Sequence, residues 1–278
     1  MLSSNDAFPE RTRSMIDPDS RYTPVLNCVP SRNTQADWTW QVALDSGAVP
    51  AVSSRHLPDS VDLRDDRWPV SCQGTSGACV GFATADGVLR YHFARKAMID
   101  IAVRLSPRFI WMADKETDEL TSYPTTFIEA EGAQPKRALE IARQYGCALD
   151  DDLPMDGPLW EGTAEAFYAK AARFRIASFH NLGVSPAVWR KWLATNGPIL
   201  TRLDADDSWM GAGADGELER HDPRSVKGGH AVCVVGYRRD GSFIVRNSWG
   251  PGWGDQGFAY ASADYVRSAF REGYGVVV

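Results

Sequence analysis

The chain lacks a basic surplus: 30 Lys and Arg stand against 36 Asp and Glu, a formal net charge of −6, and no basic stripe interrupts that balance. Such a chain has no electrostatic footprint for nucleic acid, so no nucleic-acid partner is expected. It also lacks any apolar run of about 20 residues, so no membrane-spanning helix and no membrane partner are expected. Cysteine is scarce. Cys28, Cys72, Cys79, Cys147 and Cys233 are odd in number and form no C-x-x-C. That excludes a zinc ribbon and a disulfide framework, and no metal site is expected. The opening residues, Met1-Leu2-Ser3-Ser4-Asn5-Asp6, lack the charged and apolar regions of a secretory leader. Together with reduced thiols this predicts a cytoplasmic protein, with export by a non-standard route left open. Phosphate loops, dinucleotide fingerprints, the G-x-S-x-G elbow, internal repeats and low-complexity tracts are all missing.

What remains is an ordinary 44% apolar chain with ten Trp. At 278 residues it can bury one large domain or two lobes sharing an interface. Residues 1–55 are rich in Pro, Ser, Asp and Asn, with weak periodicity until Asp37-Trp38-Thr39-Trp40-Gln41-Val42. They read as an N-terminal extension or short pro-segment. From Cys79 onward, Val80, Phe82, Ala83, Val88, Leu89, Phe93 and Ala97 recur mainly three and four apart, which predicts a buried helix over 79–97. Pro135 and Gly146 frame a second helix, 163–174 forms a third, and Ser185-Pro186 to Asn196-Gly197 bounds a fourth. The last third then changes character. Strands are predicted at 198–201, 231–235, 243–246 and near 258–260, with Asp240-Gly241 as a hairpin turn. Helices first and antiparallel strands later predict an α+β fold in two lobes.

Cys79 follows the turn Gln73-Gly74-Thr75-Ser76-Gly77-Ala78 and opens the first of these helices. Free N–H groups and positive potential at a helix N-terminus stabilise a thiolate. Most free cysteines are nonetheless packed and inert, so Cys79 needs partners to act as a nucleophile. His230 heads a strand after Gly228-Gly229, and Asn247 ends the neighbouring hairpin strand. An imidazole so placed can take the thiol proton, and a carboxamide can hold the ring toward sulfur. Gln73 offers a side-chain amide to an oxyanion. Taken singly, His230 also reads as a satisfied structural residue and Asn247 as a turn former.

These segments carry a resemblance. Gln73-Gly74-x-x-Gly77-Ala78-Cys79 with Phe82 resembles the active-site segment Q-G-x-C-G-S-C-W-A-F of papain-like cysteine peptidases. His230-Ala231-Val232 with Gly236-Tyr237 resembles the family's H-A-V…G-Y strand, and Asn247-Ser248-Trp249-Gly250-Pro251-Gly252-Trp253-Gly254 its N-S-W-G-x-x-W-G block. His230 lies 151 residues downstream of Cys79, at the edge of the family's spacing of about 130–150 residues. Leu57–Arg64, Gly132-Ala133-Gln134-Pro135 and 149–157 are similar to further family stretches, so the resemblance covers about residues 56–265. It implies a two-lobed α+β fold, with a mainly helical lobe over about 56–160, a barrel-like antiparallel β lobe over about 161–278, and the active site in the cleft between them. It implies that Cys79 is the nucleophile, His230 the general base and then acid, and Asn247 its orienter. Gln73 and the Cys79 N–H would form the oxyanion site. Gly132 would hydrogen-bond an extended substrate strand. Trp249 would shield the His–Asn hydrogen bond, and Trp253 would line the leaving-group side. Ala133, Pro135, Gly228 and Gly229 complete the expected substrate-binding set.

The match is not complete. Ser76 stands where the family has a cysteine, so that disulfide is absent; Val80 replaces an aromatic residue, and Ala133 replaces a glycine. Residues 1–55 do not resemble the long helical prodomain of the lysosomal members. They are expected to pack on the catalytic domain, the alternative being that they cross the cleft and block it, with Trp38 and Trp40 as anchors. The expected activity is peptide-bond hydrolysis through a thioester, with a dedicated processing role as one version. A papain-fold acyltransferase or ligase and a non-catalytic peptide-binding module are the alternatives. No cofactor is expected, only a reduced thiol. The partner is an extended peptide or protein substrate, and the sequence assigns no oligomeric state. Asp150-Asp151-Asp152 and the group Asp204, Asp206, Asp207 lack the Gly and terminal Glu of a calcium loop and read as solvated acidic loops. His56, His92, His180 and His221 read as structural or exposed.

Overall fold

The computed structural model describes residues 24–51, 53, 56–117 and 132–278, so the first 23 residues of the expected extension lie outside the described ones. Thr39 opens the first helix, α1 (Trp40–Asp45), its hydroxyl accepting from the Val42 N–H. The apolar spacing after Ala78 yields one continuous helical run in three parts. These are α2 (Cys79–Gly81), a wider π-helical stretch (Phe82–Leu89) and α3 (Arg90–Arg95). All of α2 and the π stretch is buried. Gly81 is required by proximity, because a Cβ there would lie 2.3 Å from the Pro107 carbonyl oxygen. The run stops short of residue 97. Ala97 has a left-handed φ of 55°, and the Met98 N–H returns to the Phe93 carbonyl, a left-handed stop at the helix C-terminus.

Three more helices build the same lobe: α4 (Pro107–Thr117), α5 (Pro135–Gln144) and α6 (Ala164–Ala171). Pro135 sits in the first turn of α5, and Gly146 takes φ 89° after its end. Leu105, Ile110, Leu139, Ile141, Phe174 and Ile176 form the core of this lobe with α2 and the π stretch.

The strands are β1 (Val61–Asp62), β2 (Ser178–Asn181), β3 (Ile199–Ala205), β4 (Glu217–Leu218), β5 (Gly228–Tyr237), β6 (Phe243–Arg246), β7 (Phe258–Ala261) and β8 (Phe270–Val277). They form one sheet in the order β2-β8-β3-β5-β6-β7-β4, with β1 also on β5. Every pairing is antiparallel except β4 with β7. Side chains alternate across a strand, and β5 uses that alternation to divide two cores. Ala231, Cys233 and Val235 face the helical core, while Val232 and Val234 face a second core. That second core is closed by α7 (Pro186–Thr195), α8 (Asp207–Met210) and α9 (Ala263–Ala269), with Trp189, Trp192, Tyr265 and Phe270 fully buried. The fold is the expected two-lobed α+β arrangement.

Several elements were not legible in the sequence. β8 carries Gly273 and Gly275, which weaken a strand pattern. In the fold they let the strand pass under indoles, since a Cβ on Gly275 would lie 2.1 Å from the Trp192 ring. A glycine inside a strand marks such a close approach. Ser185 has the extended backbone of a cap but makes no side-chain cap bond. No helix among the described residues is long and apolar enough to cross a membrane.

One buried ionic cluster ties the helical run to the sheet. Asp86 bonds Arg90 at 2.7 Å and Arg246 of β6 at 2.9 Å, and both arginines are almost fully buried. Arg246 also donates to the Trp68 and Pro69 carbonyls, and Arg90 to those of Ile101 and Arg67. The cluster fixes the distance between the helix that starts at Cys79 and the strand that ends before Asn247.

Candidate active site

Cys79 leaves the turn at Ala78 and begins α2, so its N–H is among those a helix leaves unpaired. His230 sits on β5, opposite Leu203 of β3. Asn247 follows the last residue of β6. The antiparallel pairing of β5 with β6 brings these two within reach, and His230 Nε2 lies 2.7 Å from Asn247 Oδ1. The other ring nitrogen, Nδ1, has no nitrogen or oxygen partner among the described residues. That leaves it for the Cys79 thiol, whose pKa the nearby His230 ring lowers. Cys79 and His230 are both fully buried.

The Cys79 thiol is held well below its ordinary pKa. The largest cause is the neighbouring Cys28 thiol. Burial works in the opposite direction, and the His230 ring and the Ala231 N–H add to the lowering. Cys28 moves the other way: burial and the neighbouring Cys79 push it well up. Replacing Cys28 by Ala removes the first of the lowering contacts. Cys79 thiolate absorbance is then expected to titrate at a higher pH than in the unaltered chain, with a Cys79→Ala chain as the blank. An unchanged midpoint would show that Cys28 does not support the thiolate.

Gln73 is buried and locked at both ends of its amide. Its Nε2 donates to the Ser76 carbonyl at 2.8 Å, and its Oε1 accepts from Ser248 Oγ at 2.7 Å. The Ser76 hydroxyl returns to the Gln73 carbonyl at 2.6 Å. Ser76, notable in the sequence only as a missing cysteine, therefore orients the amide. Because Ser248 occupies the oxygen end, the amide nitrogen is assigned to the other side.

Two indoles meet the imidazole and a third backs them. Trp249 lies over the His230 ring at 4.8 Å between centroids, and Trp209 meets its edge at 5.8 Å. Trp253 packs on Trp209 at 4.7 Å and donates Nε1 to the Trp209 carbonyl. Trp209 was not singled out in the sequence. It is placed by Asp206, which caps α8 by accepting from the Trp209 N–H. Asp206 also accepts from Ser208 Oγ, the Asp222 N–H and the Tyr265 hydroxyl. The reading of Asp206 as part of a solvated acidic loop is thus corrected: it is fully buried, and four donors satisfy it. Asp204 is engaged as well, with Arg202 at 3.0 Å and Arg271 at 2.7 Å.

The cleft is filled by the protein's own N-terminal segment. Leu26 to Val29 runs between the Gly132-Ala133 and Gly228-Gly229 edges, in parallel sense to both. The Cys28 N–H donates to the Gly229 carbonyl and the Val29 N–H to the Ala133 carbonyl, each at 3.0 Å. The backbone acceptor on the helical side is thus Ala133. Gly132 contributes its missing side chain, since a Cβ there would lie 2.3 Å from the Asn27 carbonyl oxygen. A Cβ on Gly229 would lie 2.0 Å from the Cys28 carbonyl oxygen, and one on Gly228 would meet Leu26. Pro135 is buried at the start of α5. The Cys28 carbonyl is held by Arg202 Nε at 3.1 Å. Beyond the cleft, the Ser31 N–H donates to Glu272, and Lys136 Nζ bonds Asp37. Trp40 meets Trp192 edge-on and anchors α1 to the second core. Trp38 is 56% exposed and anchors through its carbonyl, which accepts from the Asn181 N–H. The expectation that the extension merely packs on the body gives way to the alternative for its described part, which crosses the cleft.

A thiol at a helix start, with its imidazole and carboxamide on the facing sheet, defines a two-lobed thiol–imidazole protein. The chain belongs to the papain family of cysteine proteases, whose family model matches residues 57–270. Cathepsin B-like CP3 of Giardia intestinalis is 29% identical over 248 residues, which cover 77% of this chain and 73% of that protein. Macrodontain-1 of Ananas macrodontes is 26% identical over 216 residues, covering 76% and 92%. Among solved structures, xylellain, a cysteine protease from Xylella fastidiosa, matches with a TM-score of 0.74 at 18% identity, over 91% of this chain and 96% of that one. Procathepsin B S9 from Trypanosoma congolense matches at 0.65 and 16%, over 91% and 85%. The structural likenesses speak for the fold. The family and its relatives make the protein a cysteine-type peptidase, whose substrates are peptides or proteins.

Proposed function

We propose that the protein hydrolyses peptide bonds through a thioester on Cys79 and that its N-terminal segment restrains this activity. The observation that carries the reading is the Cys79–His230–Asn247 array, with the depressed thiol at one end and a 2.7 Å bond at the other. The Cys79 thiolate adds to the scissile carbonyl. Gln73 Nε2–H and the Cys79 N–H receive the oxyanion. His230 hands its proton to the departing amine, leaving a thioester, and then takes a proton from the water that hydrolyses it. Asn247 acts through His230, holding one ring tautomer and one orientation. Trp249 and Trp209 keep bulk water from that bond. No cofactor takes part in this scheme, only a reduced Cys79. The backbone bonds now made by Cys28 and Val29 are those an extended substrate strand would make.

The Cys28 carbonyl is turned to Arg202, which supports an inhibitory rather than a substrate-like pose. Two results are expected. An epoxide-type thiol inhibitor labels Cys79 in a chain lacking residues 1–33, and His230→Ala removes that labelling; a Cys79 that stays unreactive at neutral pH would sink the nucleophile assignment. The same truncation raises kcat/KM on an unstructured peptide by about 10-fold or more, because the competent state no longer competes with self-docking. Val29→Asp in the full chain should give a smaller rise in the same direction. Activity unchanged in both would show that the docked segment does not restrain the enzyme.

A further inference from the structure

In the described part of the docked segment, Cys28 is the residue whose side chain acts on the reacting sulfur. Its thiol and that of Cys79 shift each other's pKa, it is 2% exposed, its N–H and carbonyl are held by Gly229 and Arg202, and the following N–H, that of Val29, is held by Ala133. The Gly229 and Ala133 contacts pin the chain one residue apart on opposite walls, which sets Cys28 directly against Cys79. Neither sulfur is in a disulfide in this structure. A strand could block a cleft with any side chain that fits. A thiol adds a chemistry that blocking does not need: it can close the site covalently and reopen it on reduction.

We propose that Cys28 and Cys79 form a reversible disulfide that locks the N-terminal segment in the cleft, making the enzyme's activity depend on the surrounding thiol–disulfide balance. The proposal rests on Cys79 being the reactive thiol of the site. The oxidant is a low-molecular-weight disulfide. When the segment lifts, the Cys79 thiolate attacks one sulfur of that disulfide, forming a mixed disulfide and releasing one small thiolate. When the segment returns, the Cys28 sulfur attacks Cys79 Sγ. The new S–S bond forms, the mixed disulfide breaks, and the Cys28 proton leaves with the second small thiol. Two protein thiols are thereby oxidised and one small disulfide is reduced to two thiols. A low-pKa thiolate is the favoured entry point for such exchange. The sulfurs must close to about 2.05 Å, a movement that the unbranched cysteine side chains can supply.

Cys147 and Cys233 differ from Cys79. Both are fully buried, and burial pushes both thiols well up, so neither offers a thiolate. The exchange is therefore expected at Cys79 and not across the protein's other core thiols.

The test treats the full chain with oxidised glutathione and maps it by non-reducing proteolysis and mass spectrometry. The expected product is a Cys28–Cys79 cross-linked peptide two hydrogens lighter than its parts. Peptidase activity should fall in step with the cross-linked fraction and return with dithiothreitol. Cys28→Ser should give a stable glutathione adduct on Cys79 in place of the cross-link. If that variant fails to fold, the map of the unaltered chain still decides. No Cys28–Cys79 peptide, or a cross-link through Cys72 instead, overturns the proposal. A cross-link in a chain that shows no activity even when reduced and truncated would keep the disulfide and overturn the peptidase mechanism.

Discussion

Cys79→Ala is expected to lower kcat/KM for peptide hydrolysis by roughly 10⁴-fold or more, in both the full chain and the chain lacking residues 1–33. The expectation follows from the geometry. Among the described residues, nothing else in the cleft offers a nucleophile with a base on one side and an N–H on the other. Cys79 is small and sits at a helix start, so the near-ultraviolet circular dichroism should be preserved. His230→Ala should match the loss, and the double variant should be no worse than either single one, because the two groups act in the same step. Asn247→Ala should cost less and should also change the shape of the pH–rate profile, since it acts only through the ring. Measurement of kcat/KM on a peptide library checks all four. Retention of activity within about 10-fold of the unaltered enzyme by Cys79→Ala would end the thioester mechanism.

Asp86→Ala should be the most destabilising polar substitution considered. The carboxylate is buried between Arg90 and Arg246, with Arg104 3.9 Å away. Removing it leaves two buried guanidinium groups facing each other without a counter-charge. Breaking such a pair costs about 3–5 kcal/mol, or a fall in Tm of about 10 °C for a chain this long. Both arginines keep their carbonyl partners, so the loss is one of charge balance more than of hydrogen bonds. Asp86→Asn, which keeps the shape, should lose nearly as much. The pH dependence follows from the same site. Burial alone would raise the Asp86 pKa, but Arg246, Arg90 and Arg104 outweigh it and hold it below the ordinary value. A depressed carboxylate contributes stability that is present above its unfolded value of about 3.9 and lost as pH falls through the lower native value. The unaltered chain should therefore show a steeper loss of stability below about pH 4 than Asp86→Asn. Urea unfolding across pH measures both effects. A deficit under about 1 kcal/mol at neutral pH would mean that relaxation or water compensates the arginines.

The parts of the site that were legible in the sequence share one property: each is announced by its immediate neighbours. Cys79 comes with a Gly-rich turn and an apolar helix, and Asn247 with the Ser-Trp-Gly block. The helices at 135 and 186 were legible because proline opens them and a C-terminal glycine or asparagine marks their ends. What escaped was placed by packing. Trp209 lies on a four-residue helix inside an acidic stretch, and only the folded sheet brings it to the His230 ring. Ser248 read as motif filler and Ser76 only as a missing cysteine, yet they hold opposite ends of the Gln73 amide. β8 was hidden because its glycines, which make room for Trp189 and Trp192, break the alternating pattern.

The chemistry of the reaction could be read along the chain, because a nucleophile, a base and an orienter keep recognisable local surroundings wherever the fold puts them. The fate of the N-terminal segment could not. Its composition is that of any polar linker, and Cys28 carries no local mark that separates it from an inert thiol. Its place opposite Cys79 depends on backbone bonds to Gly229 and Ala133 and on a side chain from β3, contacts between segments far apart in the chain. Such pairings are selected by shape and hydrogen-bond satisfaction in the folded cleft, and no local periodicity or spacing encodes them.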